Sequence, residues 1–159
     1  MDHLPEMLRS QPHQPSAMAA IERCIAACYD CAQTCTSCAD ACMSEKDPAK
    51  LLYCIRLDLD CSDICTATGR IVSRLTKPNR ALTEAALEAC IIACGACGDE
   101  CREHAEMHAH CRICAEACDA CAEACQALLD AFERDVYERD SHDQTAQDNH
   151  SNVQDPASL

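Results

Sequence analysis

Residues 24–42 read CIAACYDCAQTCTSCADAC, with cysteines at 24, 28, 31, 35, 38 and 42 separated by steps of 4, 3, 4, 3 and 4. That alternation is the a/d seam of a heptad, the stripe that a helix turns toward its neighbours. Here cysteine fills every slot that usually holds leucine or isoleucine. A strand would need a period of two, which is absent. The flanking Ile25, Ala27, Ala32, Ala39 and Ala41 are small or aliphatic and allow close approach of partner helices. One or two buried cysteines would pass as small hydrophobes. Six in unbroken register call for another reason.

The same register recurs outward along the chain. Cys90, Cys94, Cys97 and Cys101 are continued in step by His104 and His108. Cys111, Cys114, Cys118, Cys121 and Cys125 form a further seam flanked by Ala115, Ala117, Ala122 and Ala124. A sparser one holds Cys54, Cys61 and Cys65, with Asp58 in the intervening slot. Breaks at Pro15-Ser16, Asp47-Pro48 and Lys77-Pro78-Asn79, with a change of step over 107–110, predict helices at 16–44, 48–76, 79–107 and 110–138. Each is roughly 28 residues, or ~42 Å long. Short connections make neighbours antiparallel, so the expected fold is all-α, an up-down-up-down four-helix bundle with a cysteine-lined interior. Residues 1–15 read as a leader with one short helix, 16–138 as the bundle domain, and the polar, aperiodic 139–159 as a disordered tail.

Composition agrees that sulfur stands in for an ordinary core. Eighteen of 159 residues are cysteine, while Leu, Ile, Val and Phe together number 24 and Trp is absent. With a net charge of −14, so few large aliphatics would otherwise indicate disorder. The excess of 27 acidic over 13 basic residues argues against a nucleic-acid partner. No Gly-rich phosphate loop or G-x-S-x-G elbow is present, so a binder is expected and not an enzyme. No uninterrupted apolar run approaches the ~18 residues of a membrane span, and the first residues do not resemble a secretory signal. A cytoplasmic location is therefore expected, with thiols kept reduced. Pairs at i,i+4 on a helix also have poor disulfide geometry.

Sixteen cysteines fall into eight C-x3-C pairs: 24/28, 31/35, 38/42, 61/65, 90/94, 97/101, 114/118 and 121/125. Side chains at i and i+4 lie about 5–6 Å apart at Cβ. A linear sulfur–metal–sulfur unit spans ~4.5 Å with bonds near the ~2.3 Å of zinc–sulfur. Soft thiolates select Cu(I), Zn(II) or iron–sulfur clusters. Zinc wants four ligands, usually from loops, and no Cys is followed by Pro as in the common cluster motif. Cu(I) is satisfied by two or three thiolates and leaves a buried site neutral. Zn(II) with four thiolates would leave two net negative charges where the seams hold no Lys or Arg. Linear pairs thus favour Cu(I), with a capacity of about 8 ions for isolated pairs and ~18 for bridged ones. The alternative is a zinc or cadmium buffer resembling metallothionein; an iron–sulfur ferredoxin and a disulfide-bonded bundle fit less well.

Antiparallel topology gathers Cys42, Met43, His104, Met107, His108, His110 and Cys111 at one end, a candidate mouth with imidazole and thioether groups. Seam register points to His104 and His108 as ligands, with His110 beside them outside that register. Asp58 is either a group hydrogen-bonded across the lumen, an acceptor of thiol protons or an auxiliary ligand. At the opposite end Ile21, Val72, Leu75, Leu87, Leu128 and Phe132 continue the seams as an apolar plug.

Three runs carry a resemblance to a known family: the seam Cys24 to Cys42, CIIACGACGDEC over 90–101, and CRICAEACDACAEAC over 111–125. Together they resemble the bacterial cytosolic copper storage proteins over about residues 16–138. The resemblance implies a cysteine-lined four-helix bundle that fills with many Cu(I) ions, and a homotetramer. It leaves the leader, the tail and the copper donors and acceptors unassigned.

Overall fold

Five α-helices and one short 3-10 turn carry the chain in the computed structural model, which describes residues 3–12 and 14–151, with side chains as far as residue 135. They are α1 (His3–Arg9), α2 (Met18–Met43), the 3-10 turn Pro48–Leu51, α3 (Leu52–Val72), α4 (Arg80–His104) and α5 (Ala109–Ser151). No strand occurs among the described residues. The four long helices form a ring: α2 packs on α3 and α5, α4 on α3 and α5, while the backbones of the diagonal pairs stay apart and meet only through side chains in the lumen. Every adjacent pair runs antiparallel. Thus Cys24 meets Cys125 while Cys42 meets Cys111, and Cys65 meets Cys90 while Cys54 meets Cys101. This is the expected up-down-up-down bundle.

Helix ends depart from expectation where a side chain has a better partner than the backbone. Ser16 does not cap α2. Its hydroxyl donates to Asp135 Oδ2 at 2.7 Å, and the helix begins two residues later behind Ala17. Asp47 likewise makes no cap, since its carboxylate pairs with Lys50 at 3.0 Å, and Pro48 opens a 3-10 turn before α3. Asn79 does cap α4, accepting from the Leu82 amide at 3.1 Å. α3 stops at Val72, where Ser73 Oγ donates to the Gly69 carbonyl at 2.6 Å. Lys77, next to Pro78, takes φ 49° in the turn that follows, the only non-glycine positive φ among the described residues. α5 does not end at 138. With neither Gly nor Pro between Gly98 and Pro156, nothing breaks its backbone before Ser151. The rest of the stretch expected as a tail, 152–159, lies outside the described residues.

All eighteen cysteines are buried and none is in a disulfide. At the closed end Ile21, Val72, Leu87 and Leu128 are buried, with Leu75 and Phe132 packed against them. Leu8 of α1 joins this plug at 2% exposure, and Arg9 holds α1 to α2 through Glu22 at 3.2 Å. α4 alone among the described residues is long and apolar enough to cross a membrane by length and composition. Expecting no such segment relied on uninterrupted runs and overlooked a stretch in which Ala, Cys and Ile outweigh scattered charges. The cysteines of α4 line the bundle interior, and Ile92 on its outer side is 72% exposed.

Candidate metal centre

The seams converge because each helix turns its a/d stripe inward, and the sulfurs then meet mainly across helices. Of the eight C-x3-C pairs, Cys31–Cys35 and Cys61–Cys65 are in thiol contact, both at 3.8 Å. The other thiol contacts run between helices at 3.6–4.0 Å, among them Cys35–Cys114, Cys61–Cys94, Cys65–Cys121 and Cys28–Cys121. The linear in-helix pair is therefore not the unit that this fold assembles. With ~2.3 Å bonds a three-sulfur site has edges of ~4.0 Å and a tetrahedral one ~3.8 Å, so the observed spacing suits shared, bridging thiolates. Four-sulfur groupings also form without any loop, such as Cys28, Cys90, Cys121 and Cys125, or Cys35, Cys97, Cys114 and Cys118, all within 4.8 Å of one another. Loop geometry is thus no ground against a tetrahedral metal. The charge argument stands, because Asp58, Thr68 and Thr83 are the only buried polar or charged residues among those described.

Thiol packed on thiol drives neighbouring acidities apart. Cys24 is lowered to about 5, first because Cys125 bonds to it, while Cys125 is pushed up, first through Cys121. Cys121 falls to about 7, again first through Cys125. Neighbouring S–H groups thus favour the thiolate at some sulfurs and disfavour it at those beside them.

Asp58 sits fully buried inside the ring. Its Oδ1 accepts from Cys97 at 3.1 Å, Cys114 at 3.2 Å and Cys101 at 3.5 Å, and Cys54 lies 4.0 Å from Oδ2. Burial first, then the nearness of Cys97, pushes its carboxyl up to about 9, so it is protonated at neutral pH. It is a lumen hydrogen-bonding group, within reach of the same metal as three thiols.

At the mouth the histidines divide. His110 is the one against sulfur, with Nδ1 at 3.4 Å from Cys111, 3.5 Å from Cys38 and 3.8 Å from Cys42. Cys38 in turn interacts with Cys101, Cys114 and Cys54, which joins the mouth to the rest of the sulfur path. Burial opposes the His110 imidazolium, but the bonds to Cys38 and Glu45 outweigh it and raise its pKa. His104 and His108, the two in seam register, touch no thiol. His104 Nε2 donates to Glu100 at 3.2 Å and His108 Nδ1 to Glu45 at 3.0 Å. The His108 and His110 rings lie 5.3 Å apart at a tilt of 33°. Glu45 accepts from both, and the His110 bond first holds its carboxyl below the usual range. Met43 and Met107 are exposed, and Met107 borders a depression of about 330 Å³ together with His104, His108, Lys46 and Lys50. Glu45 and Glu100 did not emerge from the sequence reading. Glu100 was visible there as the residue four before His104, whereas Glu45 meets its partners across more than sixty residues.

The family model described as Csp, copper storage protein, matches residues 17–130. A copper storage protein of Streptomyces lividans, Ccsp, solved with 10 copper equivalents, is 52% identical; the similarity covers 79% of this chain and 97% of that one at a TM-score of 0.78. A cytosolic copper storage protein of the same organism carrying five coppers is 57% identical over 70% of this chain and 92% of its own, at a TM-score of 0.69. The Cu(I)-bound copper storage protein BsCsp3 is 37% identical over 69% and 97%, at a TM-score of 0.61.

Proposed function

The chain belongs to the copper storage protein family, and from that premise we propose that it stores many Cu(I) ions on thiolates inside the bundle. The observation that carries this reading is the continuous set of eighteen buried thiols, spaced for bridging and held in a lumen that contains no basic side chain among the described residues. The cysteines serve as ligands throughout. Asp58 and His110 are the two non-sulfur groups close enough to complete a site, and His104 and His108 receive the ion at the mouth. Burial then keeps copper from water and from reactive small molecules, a role of storage and not of catalysis. By analogy with the relative described as cytosolic, the chain works in the cytoplasm. Following the family resemblance, it assembles as a homotetramer. The match to copper storage proteins leaves the zinc or cadmium alternative without support.

The test is an anaerobic titration of the fully reduced protein with Cu(I) against a competing chelator, thiols having been counted first. Tight uptake of well over about 8 equivalents is expected if thiolates bridge neighbouring ions. Saturation near four or five, with Zn(II) bound as well or better, would overturn the storage reading.

A further inference from the structure

Three imidazoles stand at the mouth, and a carboxylate holds one nitrogen of each. Glu45 Oε1 accepts from His108 Nδ1 at 3.0 Å and from His110 Nε2 at 3.1 Å, and Glu100 Oε1 accepts from His104 Nε2 at 3.2 Å. A neutral imidazole carries one N–H and one bare nitrogen, so each carboxylate decides which nitrogen remains able to bind a metal. At His110 the bare nitrogen is then Nδ1, the one that faces Cys38, Cys42 and Cys111. At His108 it is Nε2, which leaves the N–H on Nδ1, the tautomer that a free histidine side chain disfavours in water.

We propose that Glu45 is a positioning residue for copper uptake: by holding the His108 and His110 N–H groups on a single oxygen, it fixes the tautomer of both rings and aims a bare nitrogen of His110 at the first thiols. Glu45 lies in the loop after α2, whereas His108 immediately precedes α5 and His110 lies in its first turn, so the same bonds also tie these two segments together across the mouth. A carboxylate bonded to the far nitrogen of a metal-binding imidazole makes it a better donor and restricts its rotation. Glu100 does the same for His104 within one helix turn.

This inference rests on the copper reading, and its test separates the two. Nitrogen-15 spectra of the reduced, metal-free protein read the tautomers with no copper present; anaerobic mixing with Cu(I) held by a weak chelator reads the loading rate. In the unmodified protein His108 should be protonated on Nδ1. Glu45→Ala should return His108 to the Nε2–H form and slow uptake of the first equivalents about tenfold, the low end of the effect of losing such a support, with total capacity unchanged. Glu45→Gln retains an amide oxygen as acceptor and should restore the tautomer, with a rate within about threefold of the original. An unchanged His108 tautomer in Glu45→Ala overturns the proposal, as does a loading rate within about twofold of the unmodified protein. Failure of the unmodified protein to bind Cu(I) tightly would sink the copper reading while leaving the tautomer result to stand or fall by itself.

Discussion

At the scale of single residues, Asp58 shows how an unusual position in a seam becomes legible only through its neighbours. Its place four after Cys54, where other pairs have a second cysteine, marks it as part of the lumen. Its protonation state comes first from burial and then from Cys97 on α4, neither of which local spacing reveals. Because its carboxyl is raised from 3.8 to about 9, the folded protein holds a proton that the unfolded chain has already lost over the interval between. The folded state binds more protons there, so stability falls as pH rises from about 4 to 9. Asp58→Asn should flatten that dependence in urea unfolding of the reduced, metal-free protein, and at neutral pH it should cost no more than about 1 kcal/mol, since an amide still accepts from the same thiols. Asp58→Ala leaves those thiols without their acceptor and opens a void, and should cost about 2–3 kcal/mol. A steep loss of stability with rising pH that persists in Asp58→Asn would show that the carboxyl is not its source.

At the scale of elements, the number, order and inward faces of the four long helices were readable because a 4-3 repeat of cysteine has one interpretation. The helix ends were less so. Ser16 and Asp47 have the right chemistry for caps, but Asp135 and Lys50 offer them ion-pair or charge-assisted bonds instead. Only Asn79 is free to cap, and Asn79→Ala should cost about 1 kcal/mol in thermal or urea unfolding, as other lost caps do; no measurable change would mean that the cap is idle. The leader is the other element that sequence left without a role. Leu8 is as buried as the bundle's own plug residues, so α1 closes the apolar end of the tube. Leu8→Ala should lower stability by about 2–3 kcal/mol, at the low end for a buried leucine because a peripheral helix can settle into the space. Copper capacity should be unaffected, since every thiol lies on α2 to α5; equal loss of both would mean that the plug organises the sulfurs.

At the scale of the whole molecule, spacing along one helix suggested isolated pairs, and the ring of helices converts them into shared clusters. No sequence period reports which sulfur on α2 faces which on α4 or α5, because that depends on the axial offsets set by the connecting turns. The mouth is likewise a product of assembly: His110, outside the seam register, is the imidazole that reaches thiols. His104 and His108, within it, are held off by Glu100 and Glu45. Replacing His104 and His108 together should therefore slow loading at least about tenfold and leave capacity almost intact, within the range typical of lost metal-site supports. Equal losses in rate and capacity would place those residues inside the store. Charge balance makes the last demand on the assembled tube. Its interior contains no buried basic side chain among the described residues, and an unpaired buried charge is costly, so each arriving cation must displace a proton. Cu(I) added under pH-stat control should release about one proton per ion until ions match the thiolates used, and the protein's net charge should stay near −14 throughout. A divalent metal on four thiolates would release closer to four protons per ion and accumulate two negative charges at each site. A ratio near one for copper, held well past the eighth equivalent, would mean neutral bridged clusters; a ratio climbing toward two would mean isolated two-thiolate sites carrying uncompensated charge.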